Sequence, residues 1–427
     1  MRNKEIFKGK KITIVGLARS GLACANLLYK IGAQVSVTDN EQNAATKKLV
    51  SQLASKDIQV ELGKHSKDFF QGRDFIIVSP GVPAGSMPFV WAKEFGVPVI
   101  SEIEAAWFLC PGKVIAVTGS GGKTTVTTLI GKVIEASGRK AFVCGNVGRA
   151  FSGEIEKIEP VDFVSLEVSS FQLENIRHFK PLVAVMLNLS RNHLDRHADM
   201  QEYLEAKERI FMNQDENDFL IFNENDPVLK ESAKTAKSKV LFFGNSSDFD
   251  PNQQAVLAVA QVLGIDKECC LKVFREFSGL QHRMEYVAEI NGVKFINDSK
   301  ATLAESTIWA INNIKSPIML IAGGKDKGVD YSLISPSADG KVKAIFVIGE
   351  AKDKIEQALK KCFPVKKALT LEEAVRKAFI QARPGDCVLL SPMCSSFDMF
   401  ANYEERGKTF KQIVQNLAAD YKLSSIK

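Results

Sequence analysis

The sequence predicts an α/β protein of mainly parallel sheets, divided into three domains. Three observations carry this. At 427 residues the chain exceeds what one ordinary core organises. Short apolar, β-branched runs recur along it, several ending in a glycine-bearing turn that leads into a helical pattern. The last third repeats the alternation by itself. There an opening strand at 292–297 precedes strands at 318–322, 344–348 and 387–390, with helices at about 304–313, 352–361, 371–382 and 405–417. The expected division is 1–98, 99–280 and 281–427.

Composition narrows the class. Hydrophobic residues at 45% and charged residues at 25% are those of a soluble globular protein. The 56 basic and 50 acidic residues leave +6, spread along the chain. That suits an anionic small-molecule substrate and falls short of a nucleic-acid signature. No apolar run approaches a membrane span, and the opening MRNKEIFKGKK leads into a strand, so neither membrane insertion nor a signal peptide is expected. The eight cysteines contain no C-x-x-C pair, and Cys269 and Cys270 are adjacent. Reduced thiols in the cytoplasm are expected, not a disulfide framework or a zinc site.

In the first third, a strand at Lys11–Val15 meets Gly16-Leu17-Ala18-Arg19-Ser20-Gly21, a helix to Ile31, and a strand at 34–38 ending in Asp39. The pattern resembles a Rossmann opening with Ala18 at the middle glycine. A dinucleotide oxidoreductase needs that glycine for close approach to the pyrophosphate. Two readings stay open: an ordinary β–α turn, or a loop for another diphosphate such as that of a UDP-sugar. A strand at 74–78 ends in Ser79-Pro80-Gly81-Val82-Pro83, at the strand end where open α/β sheets bind ligands. A strand at 97–100, followed by Ser101-Glu102-Ile103-Glu104, leads into the next domain.

The centre carries the sharpest signal, KVIAVTGSGGKTT at 113–125. Its apolar start reads as a buried parallel strand. Gly119, Gly121 and Gly122 let the backbone turn tightly and aim N–H groups at an anion. Lys123 supplies a point charge for β/γ-phosphates, Thr124 a hydroxyl for Mg²⁺, and a helix at 126–136 adds its N-terminus. Val117 stands where the standard P-loop has its first glycine. A ligand-free turn is the alternative, disfavoured because strand, glycines, Lys-Thr and helix occur in order. A strand at 141–143 ends at Gly145-Asn146-Val147-Gly148. Glu167 ends the apolar strand at 162–168; it is either solvated or, if buried, in need of a cation such as a Mg²⁺ shared with Thr124. After a strand at 181–187, His193 lies in NLSRNHLDR. A lone histidine is usually structural, but its strand-end position favours a ligand role. A helix is expected at 201–211, with Lys207, by spacing alone, in solvent.

Together, TGSGGKTT, EVSSFQLE at 167–174 and NLSRNHLDR at 188–196 resemble the Mur ligases, the ATP-dependent amide-forming enzymes of peptidoglycan precursor synthesis. Further matches are FSGLQHRME at 277–285, NDSKAT at 297–302, GGKDKG at 323–328 and SFDMFAN at 396–402, through Arg406-Gly407. Within the family the pattern looks most like members that add D-glutamate to UDP-N-acetylmuramoyl-L-alanine; the Asp-Asn-Pro-Arg-type motif of relatives adding diaminopimelate or lysine is not found.

The resemblance implies a Rossmann-like first domain, a P-loop-type ATP-binding central domain and a Rossmann-like third domain. It implies ATP phosphorylation of the L-alanine carboxylate, then attack by D-glutamate on the acyl phosphate. Lys123, His193 and Lys207 would be catalytic. Gly119, Ser120, Gly121, Gly122, Lys123, Thr124 and Thr125 would bind ATP, with Asn252, Arg283 and Asp298. Ser20, Asp39, Asn40 and Gly81 would meet the uridine diphosphate; Asn146 and Ser169 would meet the muramoyl and phosphate portion. Thr302, Lys327, Ser396, Phe397 and Tyr403 would form the D-glutamate pocket. One Mg²⁺ would sit on Thr124 and Glu167, and a second on His193 and a CO₂-carbamylated Lys207. His282-Arg283 and 297–302 would face the nucleotide, and the protein would be a monomer. From the residues alone, Asp298 and Lys300 equally suit a surface ion pair. Four positions depart from the family pattern: Gly121, Asn192, Ala255 and Leu303. The rival readings are a Mur-type ligase for another amino acid, a folylpolyglutamate synthase and a nucleotide-regulated binding protein. The last needs no second metal site.

Overall fold

Apolar runs become parallel strands buried on both faces, because the intervening helices cover the sheet. The computed structural model describes residues 1–190, 196–277, 279–326 and 328–424. Its strands form three sheets. The first comprises β1 (Lys11–Val15), β2 (Gln34–Asp39), β3 (Gln59–Leu62), β4 (Phe75–Val78) and β5 (Val99–Ser101), all parallel, in the order β3-β2-β1-β4-β5. The helix Arg19–Lys30 buries Cys24, Ala25, Leu27 and Leu28. The boundary expected after residue 98 therefore falls just before β5, which pairs with β4 in this sheet.

The second sheet comprises β6 (Lys113–Thr118), β7 (Ala141–Gly145), β8 (Phe163–Glu167), β9 (Val183–Met186), β10 (Phe219–Asn223) and β11 (Lys239–Phe243). All run parallel, in the order β11-β10-β9-β6-β8-β7. The helix Lys123–Ala136 packs on one face with Pro251–Val262 and Lys267–Glu276 around Ile115, Val117, Ile130, Val256 and Val259. The other face shares a continuous core with the first sheet, reached through the helix Glu102–Leu109. Both sheets lie in one compact unit, Met1–Phe277.

The second unit, Ser278–Lys427, holds β12 (Glu285–Ile290), β13 (Val293–Asn297), β14 (Ile318–Gly323), β15 (Val342–Ile348), β16 (Val365–Lys367) and β17 (Cys387–Leu390). The order is β12-β13-β17-β14-β15-β16. Only the edge strand β12 is antiparallel, joined to β13 by a two-residue turn in which Asn291 and Gly292 have φ of 49° and 72°. Asn-Gly is the residue pair such a turn favours. The last helix, Tyr403–Ser424, extends beyond the expected 405–417 at both ends. Among the described residues no helix is long and apolar enough to cross a membrane.

Candidate functional site

In the second sheet β6 lies between β9 and β8, where the chain connections diverge, so the loops after these three strands meet at one end. Gly119 and Gly122 adopt φ of 149° and 79°. A Cβ on Gly122 would lie 2.4 Å from Asn252 Oδ1, which sets Asn252 against the loop. Gly121 differs from both. Its φ is ordinary for any residue, and a Cβ there would come no nearer than 3.9 Å to Asn188. Nor do all the loop amides point at an anion as expected. Ser120 N–H donates to Asn188 O at 3.0 Å, and Gly121 N–H to Asn188 Oδ1 at 2.8 Å. Asn188, at the end of β9, thus braces the loop from the neighbouring strand. The anion-facing element that remains is the first turn of Lys123–Ala136, where helix N–H groups and the macrodipole concentrate positive potential. Thr124 and Thr125 lie in that turn.

Two lysines converge on this loop. Lys123 Nζ donates to Gly119 O at 2.8 Å and Ser120 O at 3.0 Å, and Lys207 Nζ donates to Gly119 O at 2.9 Å. Lys207 is only 1% exposed, so the solvated reading is overturned. Its helix, Met200–Glu208, turns Tyr203 and Lys207, one turn apart, toward the loop, with Nζ 4.4 Å from the Tyr203 ring centroid. Burial, reinforced by the charge of Lys123, holds the Lys207 amine well below its ordinary pKa. Tyr203 OH stands 3.3 Å from Ser120 Oγ.

Glu167 is buried, at 3% exposure. Its Oε1 accepts from Asn146 Nδ2 at 2.8 Å, while Oε2 is buried with no hydrogen-bond partner among the described residues. An orphaned carboxylate oxygen is costly, and a cation offsets that cost. Thr124, in the first helical turn, is buried as well, and a carboxylate and a hydroxyl are hard oxygens of the kind Mg²⁺ takes. Among the described residues no three His, Cys, Asp or Glu side chains cluster as a metal site. His193 and Lys327 lie outside the described residues, as does Asn192. Asn146, read as a substrate contact, here holds Glu167, and Ser169 caps the short helix Ser170–Leu173 in a reciprocal pair with Gln172.

At the end of the first sheet, Asp39 is committed to the backbone: Oδ2 accepts from Leu17 N–H at 2.5 Å and Oδ1 from Glu41 N–H at 2.8 Å. A Cβ on Gly21 would lie 2.0 Å from Gly16 O, so that helix start requires glycine. Ser20 lies in the first helical turn, and Asn40 and Gly81 are exposed on neighbouring loops.

In the second unit, the strand order β13-β17-β14 sets the loops bearing Thr302, Ser396 and Phe397 at one sheet end. Ser396 is buried, Phe397 is 66% exposed, and the Lys300 ammonium lies 5.4 Å from the Tyr403 ring centroid. Asp298 is buried, accepting from Ser391 Oγ at 2.9 Å and Met284 N–H at 3.2 Å, so it is not half of a surface pair. Burial raises its carboxyl to about 6, against those hydrogen bonds and the charge of Arg283. His282 is buried too. Its Nδ1 accepts from Asn297 Nδ2 at 3.0 Å, and a Cβ on Gly407 would lie 2.1 Å from that nitrogen. It is a packing residue of this unit, its ring held against Asn297 and Gly407.

Arg406, unassigned from sequence, is 1% exposed. It donates to Ser299 O at 2.8 Å, Cys394 O at 3.1 Å and Gly323 O at 3.4 Å, tying the loops that follow β13 and β17 to the last residue of β14. The available signal was an Arg-Gly pair within a helical pattern. For Asn188 it was a strand-end position beside the loop strand.

The fold and loop define a class: a three-domain α/β protein with a nucleotide-phosphate loop on its central parallel sheet. Family models match for the MurD-like N-terminal domain at residues 10–101, the Mur ligase middle domain at 117–267 and the Mur ligase glutamate ligase domain at 282–394. The chain belongs to the Mur ligase family. It is similar to the UDP-N-acetylmuramoylalanine–D-glutamate ligase of Geotalea uraniireducens, 42% identical over 96% of this chain and 98% of that one. The enzyme of the same name from Koribacter versatilis is 38% identical over 97% and 99%. Solved structures of like fold include the UDP-N-acetylmuramate-alanine ligase of Thermotoga maritima, with TM-score 0.60 and 17% identity over 95% of this chain and 99% of that one. The MurF ligase of Thermotoga maritima in complex with ADP has TM-score 0.59 and 16% identity over 98% of each.

Proposed function

We propose that the chain is an ATP-dependent ligase adding D-glutamate to UDP-N-acetylmuramoyl-L-alanine in cytoplasmic peptidoglycan precursor synthesis, working as a monomer. The observation that carries this is similarity to D-glutamate ligases along nearly the whole chain, combined with a loop on which Lys123 and Lys207 meet. The proposed division follows the sheets: a UDP-substrate domain ending after Ser101, a central ATPase domain, and an amino-acid domain from residue 278.

A carboxylate is a poor electrophile because oxide would have to leave; phosphorylation by ATP supplies phosphate as the leaving group. The site must therefore stabilise negative charge more than it must exchange protons. The first turn of Lys123–Ala136 and the Lys123 ammonium receive the β/γ-phosphates, with Nζ turning from the loop carbonyls it now holds. Asn252, Arg283 and Asp298 bind the rest of the nucleotide. Thr124 and Glu167 would hold one Mg²⁺, and His193 with carbamylated Lys207 a second. When bound, these ions neutralise phosphate and carboxylate oxygens. Ser20, Asp39, Asn40 and Gly81 receive the uridine diphosphate, and Asn146 and Ser169 the portion beyond it. Thr302, Lys327, Ser396, Phe397 and Tyr403 receive D-glutamate, with Lys327 selecting a second carboxylate.

The test is phosphate release from ATP with UDP-N-acetylmuramoyl-L-alanine, offering D-glutamate, L-glutamate, L-alanine and meso-diaminopimelate in turn. Release with D-glutamate alone is expected; release with another amino acid instead would overturn the pocket assignment. The loop geometry gives a second expected result. Gly122→Ala raises the KM for ATP by about tenfold or more through misplacement of the loop, whereas Gly121→Ala stays within about twofold. Equal effects at both positions would contradict the distinct roles of the two glycines.

A further inference from the structure

We infer that Arg196 is a positioning residue that fastens the loop after β4 to the phosphate loop, holding the substrate of the first domain in register with ATP. The inference rests on the ligase reading above. Arg196 Nη1 donates to Pro80 O at 2.6 Å and Nη2 to Val82 O at 2.8 Å, so the guanidinium fork straddles Gly81. Its charge lies 4.3 Å from the Phe171 ring centroid, and Nη2 is 3.4 Å from Glu174 Oε2. Pro80 and Pro83 lack N–H groups, so carbonyls are the handles by which this loop is held. A planar fork with fixed donors suits two carbonyls better than an ammonium does.

Beyond Arg196 the contacts continue without a gap. Phe171 stacks on His197 at 5.5 Å, and His197 Nε2 lies 3.0 Å from Ser170 Oγ. The His197 ring packs 5.2 Å from Tyr203, which meets Ser120 through its hydroxyl and Lys207 through its ring. A packed path therefore joins Pro80 and Val82 to Gly119 and Ser120. The arginine is not needed to hold the two sheets together. Glu102 accepts from Ser152 N–H at 2.7 Å, Glu104 from His178 and Phe179 N–H at 2.7 and 2.8 Å, and an apolar core runs between the sheets. What Arg196 adds is the placement of one loop.

A contiguous path is a geometric argument, and coupling must be measured. The experiment is calorimetric titration of the full-length protein with UDP-N-acetylmuramoyl-L-alanine, with and without ADP, alongside steady-state kinetics. In the wild type, ADP is expected to tighten the UDP-substrate by about fivefold or more. In Arg196→Ala that factor falls to about one, and the KM for the UDP-substrate rises about tenfold while the KM for ATP stays within about twofold. Arg196→Lys retains the charge over Phe171 but not the fork. It is expected to melt like wild type and to lose the coupling as the alanine variant does, so it decides the matter if Arg196→Ala does not fold. Retained coupling in either folded variant, or equal rises in both KM values, overturns the inference. Wild-type protein without D-glutamate-dependent phosphate release would instead count against the ligase reading.

Discussion

Replacing Lys207 by alanine is expected to lower kcat by about 10²–10³-fold or more, with little change in the melting temperature. The residue sits where an ammonium is least comfortable: buried, with its Nζ on the same carbonyl oxygen as the Lys123 ammonium. Burial and that neighbouring charge favour the neutral amine. A neutral amine can attack CO₂; the new N–C bond forms, one proton leaves to solvent, and a carbamate anion replaces the neutral amine. The exchange sets an anion beside the Lys123 ammonium and supplies oxygens of the kind Mg²⁺ takes. Depleting CO₂ should therefore depress wild-type turnover and bicarbonate should restore it. Short carboxylic acids, small enough for the space vacated in Lys207→Ala, should restore part of that variant's activity. Full activity of Lys207→Ala would remove it from the catalytic set. Loss with neither CO₂ dependence nor rescue would leave Lys207 as an amine that merely braces Gly119.

The second large effect is expected at Arg406. Arg406→Ala should destabilise the second unit by about 3–5 kcal/mol, through carbonyls left unpaired and the cavity that remains. The guanidinium is buried deeply enough to lower its pKa to about 10, and its partners are mainly backbone carbonyls. Those carbonyls belong to the loops after β13 and β17, where Thr302 and Ser396 lie, and to the end of β14. The KM for D-glutamate should therefore rise more than the KM for ATP. Arg406→Lys keeps a charge but cannot reach all the acceptors, so it should fall between wild type and alanine. Calorimetry and D-glutamate titrations check both claims. An unchanged melting profile for Arg406→Ala would show that the buried hydrogen bonds are replaced without cost.

Strands at the centre of sheets were legible because burial on both faces writes them as uninterrupted apolar runs, as in Ile318–Gly323 and Cys387–Leu390. Several edge strands were not, although those expected at 97–100 and 141–143 were. Gln59–Leu62 and Glu285–Ile290 are only partly buried and carry charge, which an edge tolerates. Phe219–Asn223 was missed for a different reason: a short apolar run does not by itself distinguish strand from helix. At the site, Lys123, Thr124 and Glu167 could be read because their chemistry is tied to a strand–loop–helix order. Lys207 could not, since helical spacing places a lysine on a face without saying what that face meets.

The sequence by itself determined the alternation of strands and helices, the phosphate loop and the family, because each is written in short contiguous runs whose local geometry follows from residue type. The tertiary structure alone decided the rest. It buried Lys207 against a loop 88 residues earlier, aimed Asn188 into that loop and gave Arg406 two loops and a strand end to hold. It also turned Asp39, Asn146 and His282 toward their own backbone and side-chain partners. The reason is physical: solvation and charge compensation depend on which strands become neighbours, and sheet order is a long-range property that no local pattern encodes.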